Sequence, residues 1–384
     1  MIRVLIADDS AFMRMVLSNL FKKQPDFEVL DTAQNGKEAF EKTLKLKPDL
    51  VTMDINMPVM DGLEALAHIM KDCPTAVVMC SSLTKEGADA TLKALSSGAV
   101  DFINKSGGSI MRIDNIEEEI LSKCRGAANA RIPGAVRRVI TPTAAANPAP
   151  TGEHRKRDLS SFTTMAKPSF ITSWRKPVQE EIPSRSSSNL VSSGGKNKLV
   201  VLGTSTGGPK ALQSVVPMLP KNLPCGVLIV QHMPPGFTKS LAERLDELSE
   251  ISVQEAKNHD LIEPGHVYIA PGNYHMVVAQ GTKGREVELN QEPPLGTLRP
   301  AADVLFKSVA SLGPDIVSVI LTGMGQDGAV GMQDIKKHGG YIIAEAESTC
   351  VVYGMPKAVV DLGIADEVLP LQKVAAAIVK AVGH

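Results

Sequence analysis

Cysteine is sparse in this 384-residue chain, and nothing in its spacing suggests zinc. Cys73, Cys80, Cys124, Cys225 and Cys350 include no pair at zinc-ligand distance in sequence, and five is an odd count for a disulfide framework. Reduced thiols in the cytoplasm are the simplest expectation. An excess of one charge is also missing. The 41 basic and 42 acidic side chains leave a formal net charge of −1, which excludes bulk attraction to nucleic acid or to an anionic membrane. No apolar run approaches the ~20 residues of a membrane span. The chain opens directly on the strand-like run Ile2–Ala7 rather than on the basic-then-apolar pattern of a signal peptide. What is present is globular: 43% hydrophobic and 22% charged residues, in a length that suits two domains better than one core.

One stretch organises the reading. The apolar run Leu199–Leu202 leads into Gly203-Thr-Ser-Thr-Gly-Gly208 and then Pro209. Strand, tight turn and helix in that order set Ser205 at the bend, close to the backbone N–H groups of a helix start. Such groups stabilise an oxyanion or hold a phosphate. A nucleophilic serine, a phosphate loop and a plain packing turn all fit the hexapeptide alone.

Residues 1–125 alternate short apolar runs with amphipathic segments five times, with strands at Ile2–Ala7, Glu28–Ala33, Leu50–Met53, Ala76–Cys80 and Asp101–Ile103. That alternation predicts a parallel sheet with helices on both faces and a ligand site at the strands' carboxyl ends. Those ends carry Asp8-Asp9, Asp54, Ser81-Ser82 and Lys105. Asp8, Asp9 and Asp54 together make a hard oxygen site suited to Mg²⁺. With Met57-Pro58 and Asp61-Gly62 following Asp54, the segment closely resembles the receiver domain of bacterial response regulators. The resemblance implies a flavodoxin-like fold, phosphorylation of Asp54 by a histidine kinase, and Mg²⁺ held with help from Asp8 and Asp9. It implies a switch hydroxyl at Ser81, an aromatic switch at Phe102 and a phosphoryl contact from Lys105. Ser106 stands where that family usually has proline, which changes how the backbone aiming Lys105 is held.

Composition shifts over 126–197 to alanine, proline, serine and basic residues without apolar periodicity, which reads as a flexible linker. It holds the basic cluster His154–Arg157 and the single tryptophan, Trp174. The cluster reads as a solvated charge run, and Trp174 as packing on a flanking domain rather than as a docking motif.

Residues 198–384 return to the α/β pattern. Gly226–Val230 ends in Gln231-His-Met-Pro-Pro-Gly236, and Ile316–Leu321 ends in Thr322-Gly-Met-Gly-Gln-Asp-Gly328. Three strand ends thus carry Ser205, His232 and Asp327, the types needed for nucleophile, general base and orienting carboxylate. By spacing alone His275, which also follows a strand and a turn, rivals His232. Asp327 also suits a helix N-cap, and His338 a helix C-terminus. The chain order Ser, His, Asp is not that of the α/β-hydrolases.

These segments, with Arg299-Pro300 and Asp303–Phe306, look like the catalytic domain of the CheB family, the chemotaxis protein-glutamate methylesterases and glutamine deamidases. A preceding receiver is that family's arrangement, although the 126–197 connector is longer than is common in it. The resemblance implies a doubly wound α/β methylesterase domain with Ser205 as nucleophile, His232 as base and Asp327 as its orienter. It also implies an oxyanion contact at the Met324 backbone, assistance from Thr206 and a substrate-side Arg299. The implied substrates are methyl-accepting chemotaxis receptors, and the implied phosphoryl donor is the histidine kinase CheA. The esterase chemistry needs no cofactor, and a cytoplasmic location at receptor arrays follows. Other classes fit less well. A DNA-binding output lacks a basic face, a nucleotide switch lacks the P-loop lysine, and an inactive adaptor has no use for three intact catalytic types.

Overall fold

Side-chain caps supplied by the sequence start most helices of the first half. Its elements are β1 (Ile2–Ala7), α1 (Ala11–Lys22), β2 (Phe27–Ala33), α2 (Gly36–Leu46) and β3 (Leu50–Asp54). They continue with α3 (Gly62–Asp72), β4 (Ala76–Ser81), α4 (Lys85–Ser96), β5 (Asp101–Asn104) and α5 (Ile113–Ala128). Ser10, Asn35, Asp61 and Thr84 each accept a first-turn backbone N–H, at 3.4, 2.9, 2.8 and 3.0 Å. Each bond satisfies a donor that has no partner inside the helix. The strands are parallel in the order β2-β1-β3-β4-β5. The order reverses between β1 and β3, and a crevice at such a point collects what the strand ends carry.

This computed structural model describes residues 1–82, 84–105, 113–132, 134 and 198–383. Ser106, the His154–Arg157 cluster and Trp174 lie outside those residues, as does most of the expected linker. Among the described residues, no helix is long and apolar enough to cross a membrane.

The second half runs β6 (Leu199–Thr204), α6 (Gly208–Val215), β7 (Gly226–Gln231), α7 (Phe237–Leu248), β8 (Ser252–Glu255) and β9 (His266–Ile269). Next come β10 (His275–Gln280), β11 (Arg285–Asn290), α8 (Ala302–Val309), β12 (Ile316–Ile320) and α9 (Ala329–Lys337). It closes with β13 (Tyr341–Glu345), α10 (Met355–Asp361), β14 (Glu367–Leu369) and α11 (Leu371–Ala381). Seven strands form a parallel sheet in the order β14-β13-β12-β6-β7-β9-β8, and β10 and β11 make a separate antiparallel pair. The central strands β6, β7 and β12 are buried along their whole length, which is why their sequences run apolar without alternation. Both parallel sheets expected from the sequence are present.

This order decides where the chemistry sits. β6 lies between β12 and β7, so Ser205, His232 and the Thr322–Asp327 loop follow three adjacent strands at one sheet edge. Helix α6 starts at Gly208. Gly207 turns the chain there at a left-handed φ of 78°, and Pro209 fits the first turn, where its missing N–H costs nothing. The receiver-like half packs directly on this half, with α4 against α6 and α7.

Gly207→Ala meets two obstacles: the positive φ, and a Cβ only 2.6 Å from Val351 Cβ. We expect urea unfolding to show a loss of about 1–3 kcal/mol, with a lower melting temperature.

Candidate active site

Asp327 is buried, yet the groups around it favour its charged form. Its carboxylate accepts from the backbone N–H of Ala302 at 2.6 Å and of Asp303 at 3.0 Å. Those amides open α8, which has no side-chain cap of its own, so Asp327 serves as a cap from 25 residues away. The third partner is His232, whose Nε2 lies 2.7 Å from Asp327 Oδ2. Burial would raise the Asp327 pKa, but the histidine bond and the two amides outweigh it and hold the carboxyl below its ordinary 3.8. The helix that follows Asp327 begins on Gly328 without any side-chain cap. The carboxylate therefore caps α8 rather than the neighbouring α9. With Nε2 committed to Asp327, Nδ1 is the ring nitrogen left to take a proton.

The serine turn is held by its backbone. Ser205 N–H donates to Thr322 O at 3.1 Å, and Thr204 Oγ1 donates to the same carbonyl at 2.8 Å. Gln231 Nε2 donates to Ser205 O at 3.0 Å, and His232 N–H to Thr204 O at 3.2 Å. The loop after β12 comes so close that a Cβ on Gly323 would fall 2.9 Å from Ser205 Cβ. Only glycine permits that approach. Because Thr322 takes the Ser205 N–H, that donor is not available to an oxyanion. Among the described residues, nothing accepts from the Met324 N–H.

Two other expected residues are engaged elsewhere. Thr206 Oγ1 donates to Asp101 Oδ2 at 2.5 Å, a bond from the serine turn to β5 of the receiver-like half. Arg299 braces its own loop, with Nη1 donating to the Gln291 and Glu292 carbonyls and Nη2 to Asn273 Oδ1 at 2.7 Å. His275 is buried at the start of β10, its Nε2 3.3 Å from the Pro293 carbonyl, and His338 is the C-cap of α9.

In the first half, ligand oxygens of Asp8, Asp9 and Asp54 all lie within 4.8 Å of one another. Lys105 Nζ reaches Asp54 at 2.7 Å and Asp8 at 2.8 Å. Burial pushes the Asp54 carboxyl up. Lys105 pulls it down, and Asp8 and Asp9 add to the rise. Burial alone would lower the Lys105 pKa, but its bonds to Asp54 and Asp8 raise it. Ser81 Oγ donates to Gly87 O at 3.0 Å. Phe102 is buried and stacks on Phe237 of α7, centroids 4.5 Å apart and planes 19° from parallel. Asp101 and Phe237 escaped the sequence reading because each gains its meaning only from a contact across the two halves. Ser122 Oγ, 3.6 Å from Met324 Sδ, belongs to the same class.

Asp327→Asn removes the charge that the amides and His232 share. Its effect on stability has a definite sign. A depressed carboxylate pKa contributes stability above the unfolded value, and that contribution disappears as pH falls through the folded value. Wild type should therefore exceed Asp327→Asn in unfolding free energy by a constant margin at neutral pH. That margin should shrink as pH falls through and below 3.8. Chemical denaturation at stepped pH measures it.

Residues 200–378 match the family described as CheB methylesterase, and residues 4–113 match the response regulator receiver domain. A protein-glutamate methylesterase/protein-glutamine glutaminase of Symbiobacterium thermophilum is 48% identical over 100% of this chain and 98% of its own. Its namesake in Thermotoga maritima is 43% identical over 97% of this chain and 96% of its own. The crystal structure of the Thermotoga maritima CheB methylesterase catalytic domain aligns at 46% identity over 48% of this chain and 97% of that one, with a TM-score of 0.47. With relatives this similar along its whole length, and a serine turn, a histidine–carboxylate pair and a receiver's acidic crevice in one chain, the protein belongs to the CheB family of protein-glutamate methylesterases/protein-glutamine glutaminases.

Proposed function

We propose that this chain is a phosphorylation-activated hydrolase that removes methyl esters from glutamate side chains of chemotaxis receptors and deamidates specific receptor glutamines. The observation that carries the chemistry is the His232–Asp327 bond at 2.7 Å, one strand away from the Ser205 turn. Among the described residues His275 has only a carbonyl for a side-chain partner, so a carboxylate-backed base favours His232. Ser205 Oγ attacks the ester carbonyl carbon as His232 Nδ1 takes its proton, and Asp327 stabilises the imidazolium. The Met324 N–H is the donor offered to the oxyanion, a contribution of about 3 kcal/mol for one donor. Collapse expels methanol with the proton from His232. Water then attacks the acyl-enzyme, gives its proton to His232, and frees glutamate and Ser205. A glutamine side chain follows the same steps and releases ammonia.

The acidic crevice fits a receiver's magnesium: three carboxylates with converging oxygens are hard donors, and Lys105 stands beside them. Asp8, Asp9 and Asp54 would hold the ion, which when bound offsets the charge of phosphoryl transfer. Asp54 is the carboxylate that takes the phosphoryl group from the chemotaxis histidine kinase, and Lys105 pairs with the added charge.

Control runs along β5. Its first residues hold the esterase half, through Asp101 on Thr206 and Phe102 on Phe237, and the chain leaves it at Lys105 in the phosphorylation crevice. A hydrogen bond to a charged group is worth about 1.5–3 kcal/mol and an aromatic pair about 0.5–1.5 kcal/mol beyond burial. Contacts of that size hold a resting state that one phosphoryl charge can reverse. In this reading residues 1–125 are the receiver, 126–197 the connector and 198–384 the esterase.

Ser205→Ala should abolish methanol release from methylated receptor membranes, and release that persists would refute the assignment. Asp101→Ala should raise release without a phosphoryl donor several-fold and narrow the response to acetyl phosphate with Mg²⁺. An unchanged basal rate would remove Asp101 from the control path.

A further inference from the structure

Glu345, the last residue of β13, is fully buried and belongs to none of the motifs that mark the site. Its Oε2 accepts the Thr322 N–H at 2.8 Å, while Oε1 is buried without a hydrogen-bond partner. Thr322 is the junction of the serine turn. Its carbonyl takes the N–H of Ser205 and the hydroxyl of Thr204, and its own hydroxyl donates to Thr206 O at 3.0 Å and accepts from Val352 N. The next residue is Gly323, packed on Ser205, and the one after it is Met324.

We propose that Glu345 is a positioning residue for the nucleophile, gripping the Thr322 amide so that the Thr322 carbonyl fixes the Ser205 backbone and the Met324 amide together. The inference rests on Ser205 being the nucleophile. Three points support it. First, the carboxyl touches none of the reacting residues and is separated from Ser205 by one residue, Thr322. Second, the groups that favour its charge are all neutral, the Thr322 amide with the Thr349 hydroxyl and the Cys350 thiol, and burial outweighs them and pushes the carboxyl above its ordinary range. Its task is therefore that of an acceptor, which a neutral acid performs. Third, the three residues it organises carry two separate functions, attack and oxyanion support. Small displacements in such a frame are expensive for rate, up to about 100-fold for 1 Å.

Two near-isosteric variants of the full chain separate positioning from mere stability. Glu345→Gln keeps an acceptor for Thr322, and Glu345→Met removes it, leaving the Thr322 N–H without its partner while adding no polar side-chain atom. The first readout is kcat and KM for methanol release. The second is the rate at which a fluorophosphonate forms a Ser205 Oγ–P bond with loss of fluoride, located by mass spectrometry. Glu345→Met should lose roughly 10- to 100-fold in kcat and in labelling rate with KM little changed, and Glu345→Gln should recover to within about threefold of wild type. If Glu345→Met does not fold, Glu345→Asp, which withdraws the carboxyl by one methylene, should show the same loss. Equal rates in the Gln and Met variants, differing only in melting temperature, would overturn the proposal. Wild type labelling at Ser205 without releasing methanol would refute the substrate reading and leave the positioning test intact. Wild type with no label at Ser205 would overturn both.

Discussion

Asp327 must carry a charge where almost no water reaches it. A lone buried carboxylate would take up a proton instead. Here two first-turn amides of α8 and the ring of His232 replace the lost water. Charge-assisted bonds of this kind are the strong ones, and three converge on one group. The same contacts join α8, the loop after β12 and the end of β7, so the carboxylate bonded to His232 also fastens the loops around it. In the proposed mechanism, loss of that charge leaves the imidazole without a fixed tautomer and the serine without a base.

The regulatory half solves a similar problem with other groups. Lys105 lies between Asp54 and Asp8, an arrangement that keeps like charges close in a buried crevice. Under the proposed control, a phosphoryl group added at Asp54 would change the balance at the carboxyl end of β5, whose amino end grips the serine turn. A four-residue strand is a short lever. Both ends make charged or hydrogen-bonded contacts of about a few kcal/mol, so the proposed control would need no large rearrangement of either core.

Much of this was legible in the sequence, for a physical reason. Central parallel strands are buried on both faces, so Leu199–Leu202, Gly226–Val230 and Ile316–Leu321 announce themselves as apolar runs. Glycine-rich turns then show where the chain leaves the sheet. Strand ends in such folds carry the chemistry, so Ser205, His232, Asp327 and Asp54 could be picked out as candidates before any coordinates. Less legible was anything that depends on a partner distant in sequence. Thr206 reads as an assistant to Ser205, and the bond of its hydroxyl to Asp101, more than 100 residues away, leaves no trace in the sequence. Arg299 reads as substrate-side, and nothing in the sequence shows that its guanidinium also braces Gln291, Glu292 and Asn273. Glu345 gives no signal at all, since a strand-end glutamate is normally solvated and only the fold buries it.

The central claim is that an ionised Asp327 holds His232 through Nε2 and leaves Nδ1 bare to take the serine proton. Long-range ¹H–¹⁵N NMR on the full chain with labelled histidine reads the tautomer directly, with His232→Gln assigning the signals. Near neutral pH the account predicts a protonated Nε2 and an unprotonated Nδ1 for His232. A ring protonated at Nδ1 with a bare Nε2 would contradict it.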